Sequence, residues 1–242
     1  MAEFVISIAG FAVGITSLFD STRDYCRSFL TESDAEFHIA VTAADLTAEQ
    51  IWLDEEADRE GLRHRKFGDP FLERNFLQRR VARLLLPKGV LLVHGSAVAL
   101  DGRGYLFTAG CGTGKSTHAR LWRETLGAVA VNDDKPFLRL TPEGVLLCGS
   151  PWQGKHGIGQ NITVPLAGIC LLRRGQHNTI RPITQQEAAP LLLSQLCLPE
   201  ETDTLPPIAC RLLESTALWQ LECTISPEAA RVAHDAMGAE RK

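Results

Sequence analysis

The stretch that most limits how this chain can fold is a short apolar run, Tyr105 to Thr108, followed by Ala-Gly-Cys-Gly-Thr-Gly-Lys-Ser-Thr. The apolar run reads as a strand, and a helix is expected to open at Lys115 and Ser116. Strand, glycine-rich loop and helix in that order match G-x-x-x-x-G-K-[ST], except that Ala109 stands where the first glycine belongs. Glycines let backbone N–H groups turn toward an anion with no side chain in the way. The helix start adds open donors and a partial positive charge. Gly110, Cys111, Gly112, Thr113, Gly114, Lys115, Ser116 and Thr117 are therefore the expected phosphate-binding residues. Lys115 is placed to reach β- and γ-phosphates, and the Ser116 hydroxyl to hold magnesium.

With 242 residues there is material for one large domain or two small ones. A net charge of −4 gives no general reason to expect nucleic acid as a partner. The seven cysteines are scattered and contain no C-x-x-C pair, which argues against a disulfide framework and against a zinc site. No run is apolar enough for a membrane span. The apolar opening, Met1 to Ile15, lacks a basic flank and carries Glu3, so it reads as two strands joined near Gly10. A cytoplasmic protein is expected.

Residues 1–86 read as a smaller α+β region and 87–242 as the domain built on the loop. In the first region we expect a short helix from Ser21, a strand over Phe37–Val41 and a helix over Thr47–Arg59. Another begins at Asp69-Pro70, a capping residue followed by proline, and leaves Arg79, Arg80 and Arg83 solvated. After Pro87-Lys88-Gly89, a strand delivers His94, and a hairpin turning at Asp101-Gly102 feeds the glycine loop. The loop helix is expected to stop at Gly127. A buried strand from Ala128 ends in Asn132-Asp133-Asp134, which is either a polar turn or a pair of carboxylates placed for metal and proton chemistry. A second hairpin precedes residues 149–161, which hold four glycines and show no regular period; long irregular loops in compact domains are commonly functional. A strand over Ile169–Arg173 follows. A helix starts at the Thr184-Gln-Gln-Glu187 capping box, with a kink or late start at Pro190. Helical residues over Asp203–Glu214, a strand over Leu218–Glu222 and a helix from Ser226-Pro227 complete a mixed α/β chain.

His94-Gly95-Ser96-Ala97, a hairpin, the glycine loop with Lys115 and Ser116, and then Asp133-Asp134 resemble the HPr kinase and phosphoenolpyruvate carboxykinase superfamily. The likeness covers about residues 87–175, and the whole chain is most similar to its small bacterial HPr-kinase-related or carboxykinase-like members. The resemblance implies a P-loop domain of that type, with ATP and Mg2+ as cofactors. By position it assigns Lys115 and Ser116 to phosphate and magnesium, with His94 supporting the carboxylates or the metal. Of Asp133 and Asp134, one ligates metal and the other acts as base. The family's kinases carry an acidic residue and an arginine where this chain has Gly154 and His156, which weakens HPr itself as the expected acceptor.

The expected activity is a kinase that moves the γ-phosphate to a hydroxyl of a protein, peptide or small molecule. Asp133 is assigned to the acceptor proton, with Lys115 and His94 also catalytic; Asp134 and Ser116 are assigned to the metal. Lys155, His156, Arg173 and Arg174 are candidates for holding the acceptor or the transferring phosphate. A small ATP-dependent carboxykinase, a nucleotide-binding regulator without chemistry and a peptide-modifying accessory kinase are the alternatives. Homo-oligomerisation is left open; no nucleic acid or membrane partner is expected.

Overall fold

The computed structural model describes residues 1–155, 157–197 and 205–238. It is a mixed α/β chain that divides into two compact units, Met1–Leu84 and Leu85–Lys242.

In the first unit, β1 (Ala2–Ile8) and β2 (Phe11–Ser17) form an antiparallel hairpin, and β3 (Phe37–Ala40) adds to β2 in parallel. The hairpin turns on Ala9 and Gly10, both at positive φ, the conformation that fits a two-residue turn to the strand twist. Three helices complete the unit: α1 (Asp20–Tyr25), α2 (Ala43–Arg59) and α3 (Asp69–Leu85). Helix α2 starts four residues before the expected Thr47. Thr42 caps it, accepting from the Asp45 N–H while the Asp45 carboxylate accepts from the Thr42 N–H. Arg79 is not solvated as expected. Its guanidinium lies 3.6 Å over the Trp52 ring and 3.9 Å from the buried Glu49 carboxylate. Arg80 and Arg83 are exposed.

In the second unit the strands are β4 (Val90–Leu92), β5 (Ser96–Leu100), β6 (Arg103–Thr108), β7 (Val129–Asn132), β8 (Phe137–Thr141), β9 (Gly144–Cys148), β10 (Thr163–Arg174), β11 (Thr179–Pro182) and β12 (Leu218–Cys223). Their order is β4-β8-β9-β10-β6-β5-β7, with β12 also on β10 and β11 on β12. Strand β10 is longer than the expected Ile169–Arg173. Its first residues pair with β9, and its later ones run parallel to β6 and β12.

Side chains alternate across the sheet, so neighbouring residues enter different cores. Leu106, Ala97 and Leu171 belong to one cluster, closed by helices α5 (Gln185–Ser194) and α6 (Leu205–Ser215). Phe107, Val98 and Cys170 belong to the other, which includes Trp122 of α4 (Lys115–Leu126) and Ala230 of α7 (Pro227–Gly238). Helix α5 begins at the Thr184–Glu187 capping box and runs through Pro190, so the late start does not occur. The Asp203 start expected for the next helix lies outside the described residues. Among the described residues, no helix is long and apolar enough to cross a membrane.

His118 of α4 is buried against the Phe107 ring and accepts from the Trp122 Nε1–H at 3.0 Å. Burial pushes its imidazole down to about 4. Between pH 6.5 and 4 the unfolded chain takes a proton there that the folded chain refuses, so stability falls as pH drops through this window. The denaturant midpoint should fall accordingly, and His118→Phe should flatten that part of the profile. An unchanged slope in the variant would remove His118 as the cause.

Candidate active site

The glycine loop leaves the end of β6, where the Thr108 hydroxyl donates to the His94 carbonyl at 2.9 Å. Ala109 is fully buried in the core cluster that contains Phe107 and Trp122. Ala9 and Asp101 are the non-glycine residues at positive φ among the described residues, so Ala109 has an ordinary backbone conformation. Alanine in place of the first glycine therefore costs the loop nothing and adds a methyl to the core. The left-handed positions come later, at Gly112 (φ 72) and Gly114 (φ 115). Gly114 caps α4, and its carbonyl accepts the first helical bond from the His118 N–H.

Lys115 is buried, with Nζ donating to the carbonyls of Ala109 at 2.9 Å and Gly110 at 3.4 Å. Burial draws its ammonium below the ordinary lysine range. The Ser116 hydroxyl lies 3.3 Å from the Ser96 hydroxyl, and both donate to the Asp133 carbonyl, at 3.4 and 3.0 Å.

The carboxylates are set by Asn132 at the end of β7. Its side-chain oxygen accepts from the N–H groups of Asp134 and Lys135 at 2.8 and 2.6 Å. Its amide donates to the Ser150 and Trp152 carbonyls and to the Ser150 hydroxyl. This fully buried knot folds the chain sharply after the strand and ties it to the 149–161 loop. Asp133 Oδ1 accepts from the Gly154 N–H at 2.7 Å. Asp134 Oδ1 lies 3.4 Å from His94 Nε2. Burial and the charges of Lys135 and Lys115 hold His94 down to about 4, against the opposing pull of Asp134, so its ring is neutral at pH 7.

A cavity of about 410 Å³ lies among these parts. Its lining includes Cys111, Gly112, Gly114 and Lys115 to Thr117 from the loop, and His94, Asp133 and Asp134 from the strand ends. Gly110 and Thr113 are joined by a turn bond and complete the loop. Lys155 also lines the cavity. His156 lies outside the described residues. Arg174 reaches back to the loop, its Nη2 donating to the Gly112 carbonyl at 2.5 Å. Arg173 precedes it on β10, is exposed and points to the opposite face of the strand; neither arginine is among the residues lining the cavity.

Several participants carry no sequence signal. Asn132 and Ser150 matter only once the loop folds over them. Lys135, whose Nζ donates to Cys197 Sγ at 3.4 Å, acts on His94 through space. Arg120 and Arg123 of α4 also line the cavity. Helical spacing from Ser116 would have found both, because residues three, four and seven apart share a face. Among the described residues no group of three or more His, Cys, Asp or Glu is arranged to hold a metal ion.

No family model matches the chain, and no curated protein matches it. Among solved structures, the Hpr(Ser) kinase/phosphatase from Coxiella burnetii is similar over 60% of this chain and 95% of its own, at 10% sequence identity and a TM-score of 0.37. That is at most a remote structural relationship.

Proposed function

We propose that this protein is an ATP- and magnesium-dependent phosphotransferase acting on a hydroxyl acceptor. The observation that carries the reading is the convergence of Lys115, Ser116, Asp133, Asp134 and His94 on one cavity at the start of a glycine-capped helix. The phosphate chain of ATP would lie along the loop from Gly110 to Thr117, where open N–H groups and the helix start favour negative charge. Lys115 exchanges its carbonyl partners for phosphate oxygens. Magnesium fits the donor set: it retains several waters and takes one or two carboxylates with phosphate oxygens, so Ser116 and Asp134 suffice without a larger cluster. When bound, the ion neutralises charge on the β- and γ-phosphates.

Asp133 is the base. Gly154 N–H fixes its Oδ1 and so its orientation. The acceptor oxygen forms its bond to the γ-phosphorus, the bond from that phosphorus to the bridging oxygen breaks, and the acceptor proton passes to Asp133. Neutral His94 beside Asp134 leaves that carboxylate its full negative charge for the metal. Lys155, Arg174 and His156 are candidates for neutralising the transferring group or holding the acceptor. A carboxylate so closely oriented favours chemistry over passive nucleotide sensing.

Mg-ATP should raise the melting temperature by several degrees, since a ligand that binds only the folded state stabilises it by mass action. Lys115→Ala should remove most of that shift. An equal shift in the variant would show that the loop is not the phosphate site.

A further inference from the structure

The lining of the cavity does not stop at the glycine loop but continues along α4. Ser116, Ala119, Arg120 and Arg123 occupy one face of α4 and all line it. Their spacing carries the wall roughly 6 Å from Ser116 to Arg120 and about 10 Å to Arg123. Ala97 of β5 and Ala130 of β7 also line the cavity. Ala97 pairs in register with Asn132, the residue before Asp133. The groove therefore starts at the serine and carboxylates, where transfer would occur, and leads away from it. Ala119 and Ala130 add small apolar side chains to it, and two guanidinium groups stand one and two turns along α4 from Ser116. Arg123 is half-buried, and exposed Arg120 is paired with Glu124 at 3.1 Å, a surface pair that yields readily to a better anion.

We infer that this groove is the acceptor subsite, and that the acceptor is a hydroxyl compound carrying an anionic group, phosphate or carboxylate, held by Arg120 and Arg123. The inference rests on the phosphotransferase reading and adds the substrate class. A guanidinium fork matches either oxyanion, and the short apolar floor separates that anchor from the reacting hydroxyl. Arg120 and Arg123 lie one and two turns along α4 from Ser116, farther from the glycine loop, so the inference gives the two arginines to the acceptor and leaves the phosphate donor to the loop.

The test uses the full chain saturated with magnesium and a non-hydrolysable ATP analogue. Glycerol 3-phosphate, glycerate and glycerol are each added at millimolar concentration, and the melting temperature is read. A further rise of about 2 °C or more is expected with glycerol 3-phosphate, glycerate or both, and none with glycerol. Whichever anion acts identifies the group. Arg120→Ala/Arg123→Ala should lose this second rise while keeping the shift from the ATP analogue. Three outcomes overturn the subsite: no response to either anion, equal response to glycerol, or an undiminished response in the double variant. Loss of the analogue's own shift in the double variant also overturns it, by placing the arginines on the donor side. If wild type shows no shift with the analogue, the phosphotransferase reading fails first and the subsite falls with it.

Discussion

Asp133→Asn should leave Mg-ATP binding close to wild type and lower phosphoryl transfer by about a hundredfold or more, the usual scale for a positioned general base. Asparagine matches aspartate in shape and keeps an oxygen for the Gly154 N–H, so the loop contact at 2.7 Å survives. What is lost is the charge and the ability to take a proton. Asp134→Asn should behave differently. That carboxylate faces His94 at 3.4 Å and is assigned to the metal, so the variant should need more magnesium while approaching wild-type rates at high concentration. The assay is phosphate release or acceptor labelling against magnesium concentration. Wild-type rates in both variants at low magnesium would reduce the pair to a polar turn and leave nucleotide sensing as the better account. A reversed pattern would exchange the two roles.

Gly149→Ala should be the most damaging small substitution near the site. An added Cβ would stand 1.9 Å from the Gln160 carbonyl oxygen and 3.2 Å from the Val131 carbonyl oxygen, both backbone atoms that cannot swing aside. The Gly149 N–H also bonds the Ile162 carbonyl at 2.9 Å, closing the base of the loop. Relief requires moving the strand that carries Asn132 or the segment that returns to β10. We expect a loss of about 3 kcal/mol or more, at the upper end for overpacking, with a matching fall in denaturant midpoint. Asn161→Ala, next to Gln160 and exposed, should stay within about 0.5 kcal/mol. If the two variants are equally stable, the close approach at Gly149 does not constrain the loop.

Much of the fold was legible because each signal was local. The Gly114–Gly127 limits of α4, the Thr184 capping box and the hairpins around Asp101 and Gly144 follow from residues within a few positions of one another. The failures are of another kind. Helix α2 begins at a box that uses Asp45 where Glu or Gln is the usual partner. The first half of β10 contains Pro165 and Gly168, which weaken a strand pattern, and pairing with β9 and β6 overrides them. Strand β11 is short and mostly exposed, so its cause lies in its neighbours, the paired β12 and helix α7.

The site divides in the same way. Lys115, Ser116 and the two aspartates stand out by residue type and order. Arg173 and Arg174 look equivalent in sequence, yet strand alternation sends them apart and only Arg174 meets the loop. Arg79 looked like a surface charge until α2 supplied Trp52 and Glu49. Asn132 reads as turn material, and its knot of five hydrogen bonds forms only when Ser150 and Trp152 arrive from the far side of a hairpin.

The closed base of the 149–161 loop has a consequence for how such a chain can diverge. Its ends are fastened by Gly149 to Ile162 and by the Gln160 N–H to the Val131 carbonyl, at 2.9 and 3.1 Å, independently of what lies between. With both ends fixed, doubling the intervening length adds only about 0.6 kcal/mol of closure entropy. Insertions between positions 155 and 158 would enlarge or reshape the rim of the cavity while the sheet, the aspartates and the glycine loop keep their places. The segment is in effect an exchangeable cassette, through which one scaffold could be refitted to new ligands without being refolded.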